Sequence, residues 1–216
     1  MQVQGSVALV TGADRRLGRR LTEELLRRGA AKVYGAVAAP NGMTTPGVVP
    51  LQIDITDAAS VTAAAHAASD ITLLVNNVGT YGVASLLDGP IEDIRALMDS
   101  HYFGTLTVTR AFAPHLIANA PSAILNIVSV RSWLHPRGGT DAYAVAKTAL
   151  WAQTDAVRTE LEPDGVAVTA LHVGHVDTDT ATQFEPAKTD LTTVAAQALD
   201  GVEHGLIEVL ADELPR

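Results

Sequence analysis

Residues 7–18 read VALVTGADRRLG, an apolar, β-branched run that passes directly into a glycine-containing loop. Such a run is typical of a buried strand, and a helix is predicted to begin near Leu17. Glycine at Gly12 and Gly18 permits tight turning where the strand meets the helix. The N-terminus of that helix offers unpaired N–H groups and the positive end of a dipole, which suit a phosphate anion.

The rest of the chain repeats this order of strand and helix. Alternation of this kind predicts right-handed βαβ units in an α/β fold, with a single doubly wound, Rossmann-like parallel sheet of about seven strands covered by helices on both faces. Ligands of such a sheet bind at the carboxyl ends of its strands, so the loop at 12–18 is predicted to bind a dinucleotide. Strands are predicted at 7–11, 32–37, 48–53, 71–75, 123–128, 166–172 and 206–210, and helices at 17–28, 58–68, 91–117, 143–161 and 191–203.

Composition narrows the classes of function. The 216 residues are 47% apolar and only 4% aromatic, which suits one Ala-rich domain over 1–216. The net charge of −9 argues against a nucleic-acid surface. Cysteine is absent, which excludes disulfide and thiol chemistry. No apolar run approaches the ~18 residues that span a bilayer, and the N-terminus lacks a basic leader segment, so a soluble cytoplasmic protein is expected.

Tyr143 and Lys147 lie four residues apart, on one face of a predicted helix. A nearby ammonium favours phenolate and should lower the pKa of Tyr143, so that this tyrosine can donate or accept a proton near neutral pH. Ser129, at the end of the preceding strand, can hydrogen-bond the same substrate oxygen. Taken alone, the Tyr-x-x-x-Lys spacing is more typical of a surface pair, and its position in the fold has to carry the argument.

Polar residues and glycines follow several of the predicted strands. Asp54 and Ile55 follow the third strand, residues 76–79 (Asn-Asn-Val-Gly) follow the fourth, and residues 174–178 follow the sixth. Each stretch could be a simple turn, because Asp, Asn and Gly all favour loops. All of them fall at the carboxyl edge of the sheet, however, so a shared ligand site is predicted there.

In this order and at these spacings, the residues resemble the short-chain dehydrogenase/reductase family over nearly the whole chain. The resemblance implies a nicotinamide cofactor and hydride transfer to a carbonyl or from an alcohol. It implies Tyr143 as general acid/base, Ser129 as the residue that orients the substrate oxygen, and Lys147 as the residue that lowers the pKa of Tyr143 and holds the nicotinamide ribose. The cofactor-binding residues that it implies are Gly12, Asp14, Arg15, Arg16, Leu17, Gly18, Asp54, Ile55, Asn76, Val78, Gly79, Tyr143, Lys147, Gly174, Val176 and Thr178. It also implies a homodimer or homotetramer built on the helices at 91–117 and 143–161.

The glycine-rich loop departs from the family pattern. Arg16 stands where the second glycine is usual, as in pteridine-reductase-like members, and Arg15 is a basic residue where members that prefer the phosphorylated cofactor often carry one. Residues 36–39, at the end of the second strand, supply neither an acid nor a base. An arginine suits a 2′-phosphate, so NADP(H) is expected in preference to NAD(H), which stays possible.

A second departure is His101, which stands at the position of the family's catalytic asparagine. A histidine could support a proton relay, or it could be a packed helix residue in a less efficient site. Val173 replaces a usual proline, and the segment at 179–190 is short, which favours a small or open substrate site. His172 and His175 lack a third ligand at a regular spacing, so no zinc site is expected.

The leading hypothesis is an NADP(H)-dependent reductase or dehydrogenase of a small carbonyl/alcohol pair. Arg16 and His101 motivate an alternative, in which Tyr143 serves an isomerisation, elimination or cyclisation on the same scaffold. A third possibility is a nucleotide-binding regulatory protein without turnover. No nucleic-acid or membrane partner is expected.

Overall fold

The structure, a computed structural model, describes residues 1–39, 43, 45–77, 79–80, 82, 84–133, 141–174 and 190–211. In this part of the chain, seven strands form one fully parallel sheet in the order β3-β2-β1-β4-β5-β6-β7. The strands are β1 (Val7–Thr11), β2 (Lys32–Val37), β3 (Val48–Gln52), β4 (Leu73–Asn76), β5 (Ser122–Ile127), β6 (Val166–His172) and β7 (Glu208–Leu210). The helices are α1 (Arg16–Arg27), α2 (Ala58–Ala67), α3 (Ile91–Met98), α4 (Gly104–Ala118), α5 (Ala142–Leu161) and α6 (Leu191–Glu203).

Alternate residues of the central strands pack on opposite faces of the sheet, as the period of a strand requires. On β4, Leu73 and Val75 join the core under α1 and α6, whereas Leu74 joins the core under α2 and α4. Both faces are therefore apolar and covered, which explains why the strands read as continuous hydrophobic runs. The predicted doubly wound parallel sheet is confirmed.

The chain reverses its winding direction between β1 and β4, which lie side by side at the centre of the sheet. Val10 pairs with Val75, so the loop after β1 and the loop after β4 emerge next to each other at the carboxyl edge. A crevice opens at such a reversal point, and this is where doubly wound sheets bind their ligands.

The prediction of one continuous helix over 91–117 is wrong. A π-helical turn, Asp99–Phe103, separates α3 from α4, and it is called the π-turn below. Gly104 ends it in close contact with the neighbouring loop: a Cβ at this position would lie 2.7 Å from Ile55 Cδ1. The π-turn buries Ser100 and His101, while Phe112 in α4 packs on the sheet.

Some strand ends also differ from prediction by a few residues, which is the usual uncertainty of sequence-based boundaries. β4 begins at Leu73 and β7 at Glu208, both later than predicted. In the described residues, no helix combines the length and the apolar character needed to cross a bilayer.

Candidate active site

The loop after β1 depends on both of its glycines. Gly12 has φ +63°, a left-handed conformation that favours glycine, and its N–H donates to the Ala36 carbonyl oxygen at 2.8 Å. A Cβ on Gly18 would lie 2.1 Å from the Gly12 carbonyl oxygen, so α1 packs directly against the loop. The predicted loop therefore has the tight turn and the close backbone approach that a dinucleotide cradle needs.

Asn77 clamps this loop to the end of β4. Its side-chain Nδ2 donates to the carbonyl oxygens of Thr11 and Gly12, each at 3.2 Å. Its backbone N–H donates to Thr11 Oγ1 at 2.9 Å. The sequence predicts that the stretch at 76–79 contributes to the site, but it does not indicate these hydrogen bonds of Asn77.

The N-terminus of α1 carries exposed basic side chains and no acidic residue in its first turn. Arg15 is the N-cap residue and makes no side-chain cap, and Asp14, Arg15 and Arg16 are exposed at the loop. Leu17, by contrast, is buried in the core under α1. The positive end of the helix dipole and two guanidinium groups therefore suit the phosphates of a dinucleotide.

Asp54 and Ile55 lie after β3 with different exposures. Asp54 is exposed, and its Oδ1 accepts hydrogen bonds from the Thr56 hydroxyl at 2.6 Å and from the Thr56 N–H at 2.9 Å. These two bonds, the hydroxyl one first, lower the pKa of Asp54 below its usual value. Ile55 is buried and packs against Gly104. Of this pair, Asp54 is the residue with a polar group at the rim.

The Asn76 side chain lies inside the fold. Its Nδ2 donates to Asn126 Oδ1 at 2.9 Å and to Thr109 Oγ1 at 3.3 Å. Asn126 Nδ2 in turn donates to Thr154 Oγ1 at 2.9 Å, which extends the chain of hydrogen bonds to α5. Asn76 thus links β4, β5 and α4 beneath the site, and its Oδ1 has no partner among the described residues.

Lys147 is buried under the site on α5. Its Nζ donates to the Ile127 carbonyl oxygen at 2.7 Å, two residues before Ser129. Burial lowers the pKa of Lys147 to about 7, because the low-dielectric interior disfavours the ammonium. The Nζ atom lies 5.9 Å from the centre of the Tyr143 ring, as the predicted helical spacing requires. A lysine in this state can give up and regain a proton near neutral pH.

Ser129 is the N-cap of a short 3₁₀ turn, Val130–Ser132, and residues 129–132 together are called the serine turn below. Its Oγ accepts a hydrogen bond from the Arg131 N–H at 3.2 Å and has a longer contact, 3.4 Å, to the Val173 carbonyl oxygen. Among the described residues, the hydroxyl proton is therefore held only by this long contact, and it can turn toward another acceptor.

Arg131 joins the serine turn to the start of α5. Its Nη2 donates to Asp141 Oδ2 at 3.0 Å, and its guanidinium carbon lies 5.8 Å from the centre of the Tyr143 ring. Asp141 also caps α5, since its Oδ1 accepts from the Ala144 N–H at 3.1 Å. Together with Lys147, these contacts bring Ser129, Tyr143 and Lys147 to one corner of the sheet edge.

His101 faces the same corner from the π-turn. Its ring meets the Tyr143 ring edge to face, with 5.2 Å between centres. Nε2 lies 2.7 Å from the Thr80 carbonyl oxygen, and because a carbonyl only accepts hydrogen bonds, Nε2 must carry the proton. Nδ1 is then a bare acceptor, buried without a partner in the described part of the chain. Burial first, and the charge of Lys147 second, lower the pKa of His101 to about 3.

The π-turn itself is supported from two sides. With its amide oriented to satisfy both groups, Gln153 on α5 donates to the Tyr102 carbonyl oxygen at 3.1 Å and accepts from the Leu106 N–H at 3.2 Å. Both are backbone groups at the π-turn, where the regular hydrogen bonds of the α-helix are interrupted. On the other side, Gly79 lies so close to His101 that a Cβ would be 2.2 Å from Cε1 of the ring.

Comparison with known proteins agrees with this geometry. The sequence pattern described as short chain dehydrogenase matches residues 6–189. The chain belongs to this family. It is 31% identical to the 1-deoxy-11-beta-hydroxypentalenate dehydrogenase of Streptomyces avermitilis, over 95% of this chain and 83% of that protein.

Two further similar proteins are named as a reductase and a short chain dehydrogenase. The chain is 33% identical to the NADPH-dependent 1-acyldihydroxyacetone phosphate reductase of Schizosaccharomyces pombe over 64% of its own length, and it spans only about half, 48%, of that protein. The crystal structure of a short chain dehydrogenase from Burkholderia cenocepacia in complex with NADP superposes with a TM-score of 0.93 at 38% identity, over 99% of this chain and 90% of that one. As a short chain dehydrogenase, the chain is an NAD(P)-dependent oxidoreductase.

Several predicted positions of this short chain dehydrogenase lie outside the described residues, namely Val78, Val176 and Thr178. Gly174 is described and lies half-buried just after β6. In the described ranges, no group of three His, Asp or Glu side chains is placed to hold a metal ion.

Sequence reasoning missed Arg131, Thr80 and Gln153, whose partners are distant in the sequence or lie on the backbone. Asp141 could have been found, because an aspartate directly before a predicted helix is a common N-cap.

Proposed function

We propose that this short chain dehydrogenase uses NADP(H) to interconvert a small carbonyl and its alcohol, with Tyr143 as the general acid/base. The observation that carries the proposal is the corner formed by Ser129, Tyr143 and Lys147, in which a buried lysine has its pKa lowered to about 7. A group that titrates near the working pH is what proton transfer at neutral pH requires.

The proton path follows from the hydrogen bonds of the three residues. The bound nicotinamide supplies or accepts the hydride. Tyr143 donates its proton to the substrate oxygen during reduction and takes it back during oxidation. Lys147 returns the proton to Tyr143. It is buried one helical turn further on, and its Nζ donates to the Ile127 carbonyl oxygen. Ser129 orients the substrate oxygen, because among the described residues its hydroxyl donates only through the long 3.4 Å contact to the Val173 carbonyl oxygen and can donate to the substrate instead.

The glycine-rich loop supports NADP(H) over NAD(H). Arg15 and Arg16 are exposed beside the N-terminus of α1, and the end of β2 continues into alanines without an acidic group for a free 2′-hydroxyl. We assign Arg15 to the 2′-phosphate and Arg16, in the manner of pteridine reductases, to the same phosphate region. The Burkholderia neighbour bound to NADP is in keeping with this choice.

For His101, the surroundings favour a positioning role over a relay through a charged ring. With its pKa lowered to about 3, the ring stays neutral between pH 5 and pH 8 and cannot carry a second proton there. Its Nδ1 can still accept a hydrogen bond from a water or hydroxyl group beside Lys147. His101 therefore acts through the hydrogen bond that it accepts.

The proposal includes a cytoplasmic homo-oligomer. Exposed apolar side chains on the α4 and α5 side of the molecule, Phe103 and Val145, support an interface there. Size-exclusion chromatography with light scattering tests this part, and a monomer at all concentrations would contradict it.

The decisive experiment compares Tyr143→Phe with a matched control, Tyr102→Phe, which changes a tyrosine of the π-turn. Titration of NADPH and NADH fluorescence measures cofactor binding, and turnover is measured with a panel of small aldehydes and ketones. We expect both variants to bind NADPH, and Tyr143→Phe alone to lose about 10²-fold or more in kcat.

Unchanged turnover in Tyr143→Phe would overturn the acid/base role. Failure of the wild-type protein to bind either cofactor would overturn the oxidoreductase proposal. Binding without oxidation across the whole panel would favour a nucleotide-binding regulatory protein, or a reaction on the same scaffold without hydride transfer.

A further inference from the structure

A second buried histidine lies directly behind the serine turn. His172, the last residue of β6, has no exposed surface, and its ring packs in a triangle with the rings of Trp133 and Trp151, which also contact each other. The Trp133 ring is 4.0 Å away, centre to centre, and the Trp151 ring meets it edge to face at 5.7 Å. None of these three residues has a part in the proton path from Lys147 through Tyr143.

The two ring nitrogens of His172 connect two distant parts of the chain. Nε2 forms a short hydrogen bond with Oε2 of Glu208 on the edge strand β7. Nδ1 lies 3.4 Å from the carbonyl oxygen of Ser129 and 3.4 Å from Ser132 Oγ. The ring thus spans from the edge of the sheet to the backbone of the serine turn.

Ser132, His172 and Glu208 are the residue types of a hydrolytic triad, but the geometry rules out that chemistry. The Ser132 hydroxyl donates its proton to the Ser129 carbonyl oxygen at 2.6 Å, and the residue is only 2% exposed. A nucleophile must reach a substrate and transfer its proton to the histidine. This serine does neither.

Glu208 is held by more than the histidine. Its Oε1 accepts from Trp151 Nε1 at 3.0 Å, and the Arg158 guanidinium lies 3.9 Å from the same oxygen. Arg158 is also paired with Asp155 and donates to the Val168 carbonyl oxygen at 2.8 Å. The carboxylate that anchors His172 is therefore fixed in place by α5.

The serine turn needs support of this kind. The Ser129 Oγ is held by bonds of 3.2 and 3.4 Å, which are long for a hydroxyl, so the backbone of the turn sets its direction. The Val130 N–H donates to the Val173 carbonyl oxygen at 3.1 Å, and Thr148 Oγ1 donates to the Ser132 carbonyl oxygen at 2.8 Å. His172 adds a third contact to the turn, since its Nδ1 lies 3.4 Å from the Ser129 carbonyl oxygen.

We propose that His172, anchored by Glu208, is a positioning residue that fixes the serine turn and thereby aims the Ser129 hydroxyl at the substrate oxygen. The His172 ring also packs against the ring of Trp133, a partly exposed side chain that directly follows the turn. This inference rests on the proposed function only in its second half, which concerns the role of Ser129. The first half, support of the turn, concerns the fold alone.

The first test is amide hydrogen exchange, which needs no substrate. In His172→Leu, the Arg131 amide, which donates to Ser129 Oγ, is expected to exchange about tenfold faster than in the wild-type protein, while amides of α1 keep their rates. His204→Leu, a change at an exposed histidine at the end of α6, is the control and should leave the Arg131 amide unaffected. Unchanged exchange at Arg131 in His172→Leu would overturn the proposal.

The second test is kinetic and uses NADPH with 2,3-butanedione as the carbonyl probe. A serine aimed in the wrong direction should lower kcat about tenfold or more and leave the Kd for NADPH unchanged. His172→Gln keeps a donor that can reach Glu208, and it should recover part of the loss. Because His172→Leu could fail to fold, Glu208→Gln provides the same test with a smaller change.

A kcat that stays at the wild-type value in both His172→Leu and Glu208→Gln would remove the link to Ser129. If the wild-type protein reduces no carbonyl probe, the proposed function fails, whereas amide exchange still decides whether His172 holds the turn.

Discussion

His101 and His172 are both fully buried near the same corner of the sheet edge, yet their surroundings differ. His101 lies close to a buried cation, Lys147, and leaves Nδ1 without a partner among the described residues. His172 faces a carboxylate on one side and the oxygens of Ser129 and Ser132 on the other. One ring nitrogen of His101 has no partner among the described residues, whereas both ring nitrogens of His172 lie within hydrogen-bonding range of oxygen atoms.

This difference separates two uses of a buried imidazole. Unpaired polar groups in a low-dielectric interior are costly, and they persist where a ligand or a reaction needs them. Satisfied networks instead make a backbone rigid. We therefore expect substitutions of Lys147 and His101 themselves to raise stability or to alter its pH dependence, and substitutions around His172 to lower stability.

The largest effect on activity is expected for Lys147→Met, which removes the cation that His101 faces. The pKa of Lys147 is lowered from 10.5 to about 7, so at pH 6 the folded protein bears the cost of a buried ammonium. The variant should gain about 2 kcal/mol in free energy of unfolding at pH 6 and lose about 10²-fold or more in turnover.

The pH dependence of the free energy of unfolding of Lys147→Met gives a second check that burial of the lysine destabilises the wild-type protein. Between pH 7 and pH 10.5 the unfolded wild-type chain binds more protons at Lys147 than the folded one, so wild-type stability rises with pH in this window. Urea denaturation should show that the variant lacks this contribution. A variant less stable than the wild type at pH 6 would contradict the proposed cost of burial.

Gly79→Ala probes the contact between the loop after β4 and His101. The new Cβ would lie 2.2 Å from His101 Cε1, and we expect a loss of about 2–3 kcal/mol in free energy of unfolding. Gly82→Ala is the matched control, because its Cβ would be in ordinary contact, 3.6 Å from Leu97. Adding His101→Ala should recover part of the loss, and purely additive effects would show that the clash lies elsewhere.

Gln153→Leu tests the support of the π-turn that carries His101. Loss of the amide leaves the Tyr102 carbonyl and the Leu106 N–H without it, and the expected cost is about 1–2 kcal/mol by thermal or urea unfolding. The exposed Gln197 on α6 provides a control, Gln197→Leu, which should change little. Equal effects of the two substitutions would argue against a specific role for Gln153.

His101→Asn removes the imidazole, so the contribution of its protonation to the pH dependence of stability can be measured. The pKa of His101 is lowered from 6.5 to about 3. As the pH falls below 6.5, His101 therefore binds a proton in the unfolded chain but stays neutral in the folded protein. Wild-type stability should therefore fall with decreasing pH more steeply than that of the variant, by about 1.4 kcal/mol at pH 5.5. Parallel stability curves between pH 4 and pH 8 would refute the low pKa.

The smallest effect is expected on the His172 side. Trp151→Phe keeps an aromatic ring beside His172 but removes the hydrogen bond from Nε1 to Glu208 Oε1. We expect a loss of about 1 kcal/mol in free energy of unfolding, without a change in its pH dependence near pH 6. A gain in stability would mean that this region, like that of His101, is unsatisfied.

Much of the fold could be predicted because its signals are local. The strand at 7–11, the glycine-rich loop and the helix over 191–203 were all read from short runs of sequence, and the structure agrees with them. Tyr143 and Lys147 share a helix face for the same reason, since the spacing of four residues fixes their relation.

Other features depend on contacts between distant segments. Asn76 ends β4 at the predicted edge, and its side chain donates to Asn126 and Thr109 inside the fold, two partners that no local pattern in the sequence indicates. His172 and Glu208 are 36 positions apart, and no local pattern pairs them. The π-turn had no sequence signal either, because its extra residue is held by Gln153 on another helix.

The π-turn also has a consequence for how this enzyme can change. Each residue of an α-helix turns the chain by about 100°. The single extra residue of the π-turn therefore rotates the side-chain directions of α3 relative to those of α4. Phe112 and Leu116 keep their side chains in the core, while His101 points at Tyr143. A deletion of one residue within the π-turn would force a choice between these two orientations. Substitutions at position 101 can therefore alter the chemistry of the site without disturbing the packing of the sheet.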